Sequence, residues 1–228
     1  MVEASSEGRS DEEFLGRPAE QVGMRRHGLF LVAGLAVADG ALQFDDAAGR
    51  ELPGLVRHAL GLPASGRRRL RDRARALAEV PDTGSPRKWR PVEQYPPGFG
   101  SLLVRMLALR NLGWSSAAKV MYLMSGVYVS AATIGQVGRG VKELDAELIN
   151  GFAAVLGVPA AVLVDVTGMH RTVVSREQPA EITETAALLW DVRNLTAAQV
   201  RHLSHGADEG PRPGEVRPSG CDKEEKTE

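Results

Sequence analysis

Hydrophobic residues recur at helical spacing through the middle of the chain, from Gly98 to Gly168, and glycines or other turn residues interrupt the pattern repeatedly. The pattern predicts five short amphipathic helices and no strand. Helices of this length cannot bury a core alone. They are therefore expected to pack as a compact bundle that presents one helix outward.

The first two helices are defined by their apolar faces and by glycine stops. The first starts near Ser101 and stops at Gly113, and the second has Ser115 or Ser116 as its N-cap and stops at Gly126. Their apolar positions are Leu102, Leu103, Met106, Leu107, Leu109, Ala118, Val120, Met121, Leu123 and Met124. Each helix is therefore expected to contribute one face to the core.

The third helix carries the candidate chemistry. Ser130 is a good N-cap, Ile134 and Val137 face the core, and Gly140 ends the helix. The positions on the opposite side are Ala131, Ala132, Thr133, Gln136 and Arg139. Each of the two glycines inside the helix weakens it by about 1 kcal/mol relative to alanine. Packing through Ile134 and Val137 must offset that loss.

Two further helices complete the predicted bundle. The fourth runs from Asp145, its acidic cap, to Leu156, and the fifth starts at residues 157–159 and continues to Gly168. The inward residues of the fourth helix are Leu148, Ile149, Phe152, Val155 and Leu156. The bundle therefore occupies residues 98–169.

Residues 24–38 have a basic start, an apolar run and small residues at the end. This order is typical of a signal peptide and would require initiation at Met24. However, the run lies behind an acidic leader and falls short of the roughly 20 apolar residues that span a bilayer. We interpret it as a buried helix.

The rest of the N-terminal helical segment, residues 24–80, contains a polar connection from Asp45 to Arg50 and a short helix from Leu52 to Leu60. A basic helix follows at residues 65–78, with an apolar stripe of Leu70, Ala74 and Leu77. Its arginines, Arg67 to Arg75, suit two roles equally well. They could contact phosphates, or they could form a solvated face whose stems cover apolar neighbours.

Residues 81–97 are rich in proline and predict a linker, with Trp89 and Tyr95 holding it to the bundle. Residues 179–205 predict a helical hairpin whose second helix is capped by Thr196. Trp190 in this hairpin could support dimerisation or pack within the same chain. Disorder is predicted for the acidic leader, residues 1–23, and for the tail, residues 206–228.

Composition narrows the class of protein only slightly. Of the 228 residues, 43% are hydrophobic and 25% are charged, and the net charge of −1 attracts no polyanion by itself. The basic residues cluster between Arg57 and Arg90, between acidic ends. Cys221 is the only cysteine and cannot form an internal disulfide. A cytoplasmic protein without a membrane segment is the simplest interpretation.

Catalytic and metal motifs are missing from the sequence. It has no phosphate-binding loop with Lys-Ser/Thr, no Gly-x-Ser-x-Gly elbow and no His-Glu-x-x-His. His202 and His205 lie one helical turn apart, but the sequence suggests no third ligand. We therefore expect no enzyme activity, no cofactor and no metal.

The central third resembles the lambda-repressor-like (Cro and repressor, XRE-type) helix-turn-helix family, in the variant of high-GC bacteria. The matching features are Gly113, the run from Val129 to Gly140, and the run from Phe152 to Leu163. The sequence departs from the family by having Ser116-Ala117 early in the second helix, where Gln is common. It also has Gly138 where the family has Glu.

The resemblance implies an all-α fold, namely a lambda-repressor-like five-helix bundle between an N-terminal helical segment and a C-terminal hairpin. The third helix would lie in the major groove, with the second helix crossing the phosphate backbone. The DNA-binding residues would be Ser130, Ala131, Thr133, Gln136 and Arg139, with Lys119 and Lys142. Of these, Lys119, Arg139 and Lys142 would contact phosphates, and Ser130, Thr133 and Gln136 would contact base edges.

We therefore expect a DNA-binding transcriptional regulator of the XRE type, whose partner is double-stranded DNA and which could form a homodimer. The sequence names no small-molecule effector. The alternative is a helix-turn-helix-shaped module that binds another protein without sequence-specific DNA binding. Its surface would be the small residues Ala131, Ala132, Gly135 and Gly138, which permit close backbone approach.

Overall fold

A computed structural model describes residues 43–79, 89–91, 95–96, 98–167 and 178–205. These residues form nine helices and one two-stranded antiparallel ribbon. The elements are β1 (Gln43–Asp45), α1 (Asp46–Gly61), α2 (Ala64–Glu79), β2 (Trp89–Pro91), α3 (Phe99–Ala108), α4 (Trp114–Ser125), α5 (Ala131–Gly138), α6 (Ala146–Leu156), α7 (Ala160–Thr167), α8 (Ala180–Asp191) and α9 (Ala197–His205). The predicted all-helical class is confirmed, with the short ribbon as an addition.

Side-chain caps fix the starts of several helices. Ser130 Oγ accepts the N–H of Thr133 at 3.0 Å, and Asp145 Oδ1 accepts the N–H of Leu148 at 2.9 Å. Thr196 forms a reciprocal capping box with Gln199 at the start of α9. Because each cap satisfies a donor that the helix itself leaves unpaired, the predicted starts of α5, α6 and α9 are confirmed.

Two predicted starts were wrong. Gly113, rather than a serine, is the N-cap of α4, so that helix begins at Trp114. Helix α1 begins at Asp46, within the predicted polar connection, because the side chain of Asp45 accepts the N–H groups of Ala47 and Ala48. The polar residues of this connection therefore start the helix, because aspartate is a favoured N-cap residue.

The predicted linker contains a strand. Residues of β2 pair antiparallel with β1, with Phe44 opposite Arg90. A two-stranded ribbon has only edge strands, which tolerate the proline at its end, Pro91. The part of the linker that the structure describes is therefore tied back to the start of α1.

Helix α4 lies at the centre of the packing and contacts α1, α5 and α6. Helix α6 continues the core toward α7 and α8, while α9 packs on α1 and α8 packs on α2. The largest fully buried side chains are Phe152, Leu52, Leu55, Leu103, Leu107, Met121, Ile134, Ile149, Leu188, Leu189, Leu195 and Leu203. These come from both flanks as well as from the central bundle, so the N- and C-terminal segments share one core with it.

Asn111 joins three parts of this core. It is buried and has a positive φ of 59°, a conformation that asparagine tolerates better than most residues. Its Oδ1 accepts the N–H of Asp45 at 2.9 Å, and its Nδ2 donates to the carbonyl of Arg193 at 2.5 Å. One amide side chain therefore connects the ribbon, the central bundle and the C-terminal hairpin.

Arg110, next to this junction, caps two helix ends. Its guanidinium donates to the carbonyls of Met106 and Leu156, each at 3.0 Å, at the C-terminal ends of α3 and α6. Burial, and then the charge of Arg193, lower the pKa of Arg110 to about 10, so it stays protonated at neutral pH. Trp190 lies against the guanidinium groups of both arginines, at 5.1 and 4.0 Å. It therefore packs within its own chain, which was one of the two predicted roles.

The basic helix α2 faces acidic residues of α8. Arg67 bonds to Glu184, and Arg71 and Arg75 lie 2.8 and 3.3 Å from Asp191. Leu70 and Ala74 are buried between these ion pairs, as the apolar stripe predicted. Half of the arginines of α2 thus contribute to folding, which favours the packing role over phosphate contact for that face.

No helix within the described ranges is long and apolar enough to cross a membrane. The proposed buried helix at residues 24–38, the acidic leader, the tail and Cys221 lie outside those ranges.

Candidate nucleic-acid interface

Helix α5 rests on α3 and α4 through a fully buried inner face. Ile134 and Val137 are both 0% exposed, which confirms the predicted core positions. Gly100 of α3 approaches so closely that a Cβ there would overlap the carbonyl oxygen of Val137. Backbone and side chains together therefore fix the position of α5.

The two glycines of α5 are part of this seat. A Cβ on Gly135 would lie 2.8 Å from the Trp114 ring, and one on Gly138 would lie 2.7 Å from the Tyr95 ring. Trp114 Nε1 donates to Tyr95 Oη at 2.9 Å, which joins the two rings. The glycines therefore accommodate two aromatic side chains of the same chain, and they offset their low helix propensity through that packing.

This finding corrects one prediction. Gly135 and Gly138 are buried, whereas the protein-binding alternative needed them on an exposed surface with Ala131 and Ala132. Tyr95 is buried against Gly138 and holds its part of the linker to the bundle, as predicted, while the predicted contact of the Trp89 side chain lies outside what the structure describes. The Tyr95 ring occupies the space beside Gly138 that a larger residue would need.

The predicted base-reading residues lie at the exposed side of α5. Gln136 is exposed and is the longest side chain within the helix that points to solvent. Ser130 Oγ caps the helix and lies 2.9 Å from Thr133 Oγ1, so both hydroxyls already have one partner. Ala131 is half-buried. The exposed face therefore carries the amide of Gln136 and several short side chains.

Three cations flank this face. Lys119 is exposed on α4, and Arg139 follows α5 with its guanidinium 4.9 Å from the centre of the Trp114 ring. Lys142 Nζ lies 3.4 Å from Asp145 Oδ2, so part of its charge is neutralised. The structure thus places Arg139 and Lys142 just after α5 and Lys119 on the neighbouring helix α4, and it pairs Lys142 with a carboxylate.

The charge pattern of this region was missed in the sequence. From Gln94 to Lys142 there is no aspartate or glutamate, and the charged residues are Arg105, Arg110, Lys119, Arg139 and Lys142. Helices α3, α4 and α5 all lie within this acid-free stretch. This stretch itself contributes no negative charge that would repel phosphates, although Asp145 lies next to Lys142 and the chain as a whole has a net charge of −1.

Two tyrosines beside α5 were also missed. Tyr128, in the turn before the N-cap, is 85% exposed, and Tyr122, near the end of α4, is 55% exposed. Their ring centroids are 6.2 Å apart and their planes are perpendicular. The sequence did not reveal that the two rings meet, because this contact depends on the path of the turn between α4 and α5.

Within the described residues, no three His, Cys, Asp or Glu side chains are grouped as metal ligands, and His202 and His205 are exposed on α9. The exposed side of α5 and the residues around it carry amide, hydroxyl and cationic groups. Comparisons with protein-family models, with curated proteins and with solved structures find no match.

Proposed function

We propose that this chain binds duplex DNA as a transcriptional regulator of the XRE type. In this proposal, α3 to α7 form a lambda-repressor-like bundle, α4 and α5 are its helix-turn-helix, and α5 is the recognition helix. Two features support this assignment. The helices follow one another in the order that the family resemblance implies, and α4 packs directly against α5.

One observation carries the proposal. The inner face of α5 is completely buried, while its outer face, with Gln136, is exposed and belongs to a stretch of sequence, residues 94–142, that contains no carboxylate. A helix that is fixed on one side and open on the other can enter a major groove without rearrangement. The arginine-rich helix α2 packs on α1, α8 and α9 and leaves this face open.

Contacts to the DNA backbone would dominate the affinity. Lys119 on α4 and Arg139 after α5 supply cations, and Arg139 is oriented by the Trp114 ring. Base reading would depend mainly on Gln136, whose amide can bond to adenine in a bidentate way. Ser130 and Thr133 would add shorter contacts near the start of the helix. A homodimer would double these contacts and thereby raise specificity.

The proposal is tested by selecting duplexes from a random pool with the full-length protein and measuring their affinity by fluorescence anisotropy. Gln136→Ala should weaken binding to the selected site and relax preference at one base position, by about 1–3 kcal/mol. Gln178→Ala is the matched control, because Gln178 precedes α8 and lies on neither helix of the proposed helix-turn-helix. It should bind as the wild type does.

The proposal fails if no duplex is enriched, or if the wild type binds DNA with an affinity that is unaffected by salt and by Gln136→Ala. Loss of binding in both glutamine variants would instead indicate that the interface lies elsewhere.

A further inference from the structure

Side chains that can donate hydrogen bonds lie along one side of α4 and continue in the turn before α5. Ser115, Lys119 and Tyr122 are exposed on α4, with i, i+4 and i+7 spacing that places them on one side of the helix. Tyr128 contacts Tyr122 from the turn, and the exposed Ser130 follows it. The row therefore leads from the start of α4 to the start of α5.

We infer that Tyr122 and Tyr128 form a clamp for the DNA backbone, in which the Tyr128 hydroxyl donates to a phosphate and Tyr122 holds the Tyr128 ring in place. This inference rests on the proposed function, since it requires that α5 lies in the major groove. It goes further by assigning a backbone contact to Tyr128 and a supporting role to Tyr122, two residues that neither the charge pattern nor the family resemblance indicates.

The exposure of Tyr128 is the first argument. A ring that is 85% exposed leaves most of its apolar surface in water, and the ring of Tyr122 is its one aromatic neighbour in the described part of the chain. A tyrosine presents an apolar body and a polar tip, which suits the boundary between deoxyribose and phosphate. Tyrosine hydroxyls are among the groups that commonly bond to phosphate oxygens.

Position and charge are the second argument. Tyr128 lies two residues before the N-cap of α5, and the first residues of a recognition helix are those nearest the base edges. The turn before it would consequently lie at the rim of the groove, where the phosphates are. A phosphate only accepts hydrogen bonds, and the row from Ser115 to Ser130 contains donors and no carboxylate.

The contact between the rings defines the separate roles of the two tyrosines. Perpendicular rings at 6.2 Å have the edge-to-face arrangement that is attractive between aromatic side chains. Tyr122 lies on a helix and is less exposed, so it is the fixed member of the pair. Tyr128 lies in the turn and is the member that reaches outward.

The test measures duplex affinity and its salt dependence for five variants of the full-length protein. Tyr128→Phe removes only the hydroxyl and should weaken every duplex about tenfold, the loss expected for a hydrogen bond to a charged group. The slope of log affinity against log salt should stay unchanged, because a neutral donor releases no counterion. Tyr128→Ala should bind at least as weakly as Tyr128→Phe.

Tyr122 supplies the matched pair of variants. Tyr122→Phe keeps the ring and should bind as the wild type does, whereas Tyr122→Ala should weaken binding by removing the support of Tyr128. Lys119→Ala is the contrasting control, since loss of a cation should reduce the magnitude of the salt slope by about 0.9. Because both tyrosines are exposed, circular dichroism should show the same fold in all variants.

The inference alone is overturned if the wild type and Lys119→Ala behave as expected but Tyr128→Phe and Tyr128→Ala bind DNA like the wild type. In that case the pair would belong to a protein contact. A change in base preference with Tyr128→Phe would also overturn it, because a phosphate contact is independent of sequence. If the wild type binds no duplex, the proposed function itself fails.

Discussion

Helices α2 and α5 differ in how their charge relates to their surroundings. Helix α2 contains six arginines and α5 contains no charged residue. Nevertheless, Arg67, Arg71 and Arg75 of α2 bind carboxylates of α8, while α5 belongs to a stretch of sequence, residues 94–142, without carboxylates. The number of cations in a helix therefore does not measure the positive charge that is available to a partner.

The two helices are also held in place by different interactions. Helix α5 is seated by close approach, with glycines against rings and against a carbonyl group. Helix α2 is seated by a short apolar stripe between ion pairs. A site of close approach is destabilised when a substitution adds volume. An ion pair is destabilised when a substitution removes one of its partners. The predictions below use this difference.

The largest effect on stability is expected at Gly100. Gly100→Ala would place a Cβ on the carbonyl oxygen of Val137, and backbone cannot move aside as a flexible side chain can. We expect the free energy of unfolding to fall by about 3 kcal/mol, measured by denaturant titration. The control is Gly54→Ala in α1, where no atom lies within 4 Å of the added Cβ. It should stabilise by up to about 1 kcal/mol, and equal losses in both variants would contradict the account of the seat.

A smaller effect is expected at Asp191, which serves two arginines of α2. Its side chain is 11% exposed, and Asp191→Ala would leave Arg71 and Arg75 without this carboxylate. Breaking a fully buried ion pair lowers the free energy of unfolding by about 3–5 kcal/mol. Because Arg75 is 53% exposed, we expect a smaller loss here, of about 2 kcal/mol. Asp72→Ala is the control, since Asp72 is 74% exposed and lies 3.8 Å from Arg75. It should change stability by less than about 0.5 kcal/mol.

The smallest effect on stability is expected for Ser130→Asp, which separates capping from binding. Aspartate accepts the N–H of Thr133 as well as serine does, so the free energy of unfolding should stay within about 0.5 kcal/mol of the wild type. The added carboxylate would face the DNA and should lower duplex affinity. Thermal unfolding and anisotropy measure the two properties separately. Unchanged affinity would remove Ser130 from the interface.

Much of the central bundle could be predicted because its signals are local. Ser130 and Asp145 cap helices through bonds to residues three positions away, and Gly126 and Gly157 end helices in left-handed conformation. Ile134 and Val137 were placed correctly because one helical turn separates them. Such features need no knowledge of the rest of the chain.

The features that were missed depend on distant residues. The ribbon joins residues 43–45 to residues 89–91, and no local pattern encodes that pairing. The inward orientation of Gly138 depends on Tyr95, which lies far from it in sequence. The ion pairs of α2 depend on α8 in the same way. Helix periodicity alone therefore described α5 as a helix with small residues outside and could not place the rings beneath it.

The central claim, that DNA binds at α5 and not at α2, is tested most directly by two charge reversals of equal size. Lys119→Glu and Arg69→Glu each change the charge of one exposed side chain by two units, the first on α4 beside α5 and the second on α2. Their affinities for a selected duplex are measured by anisotropy across a salt series.

We predict that Lys119→Glu abolishes binding at moderate salt and that Arg69→Glu binds like the wild type. Retained binding with Lys119→Glu together with loss with Arg69→Glu would place the DNA on the arginine-rich helix and contradict the claim.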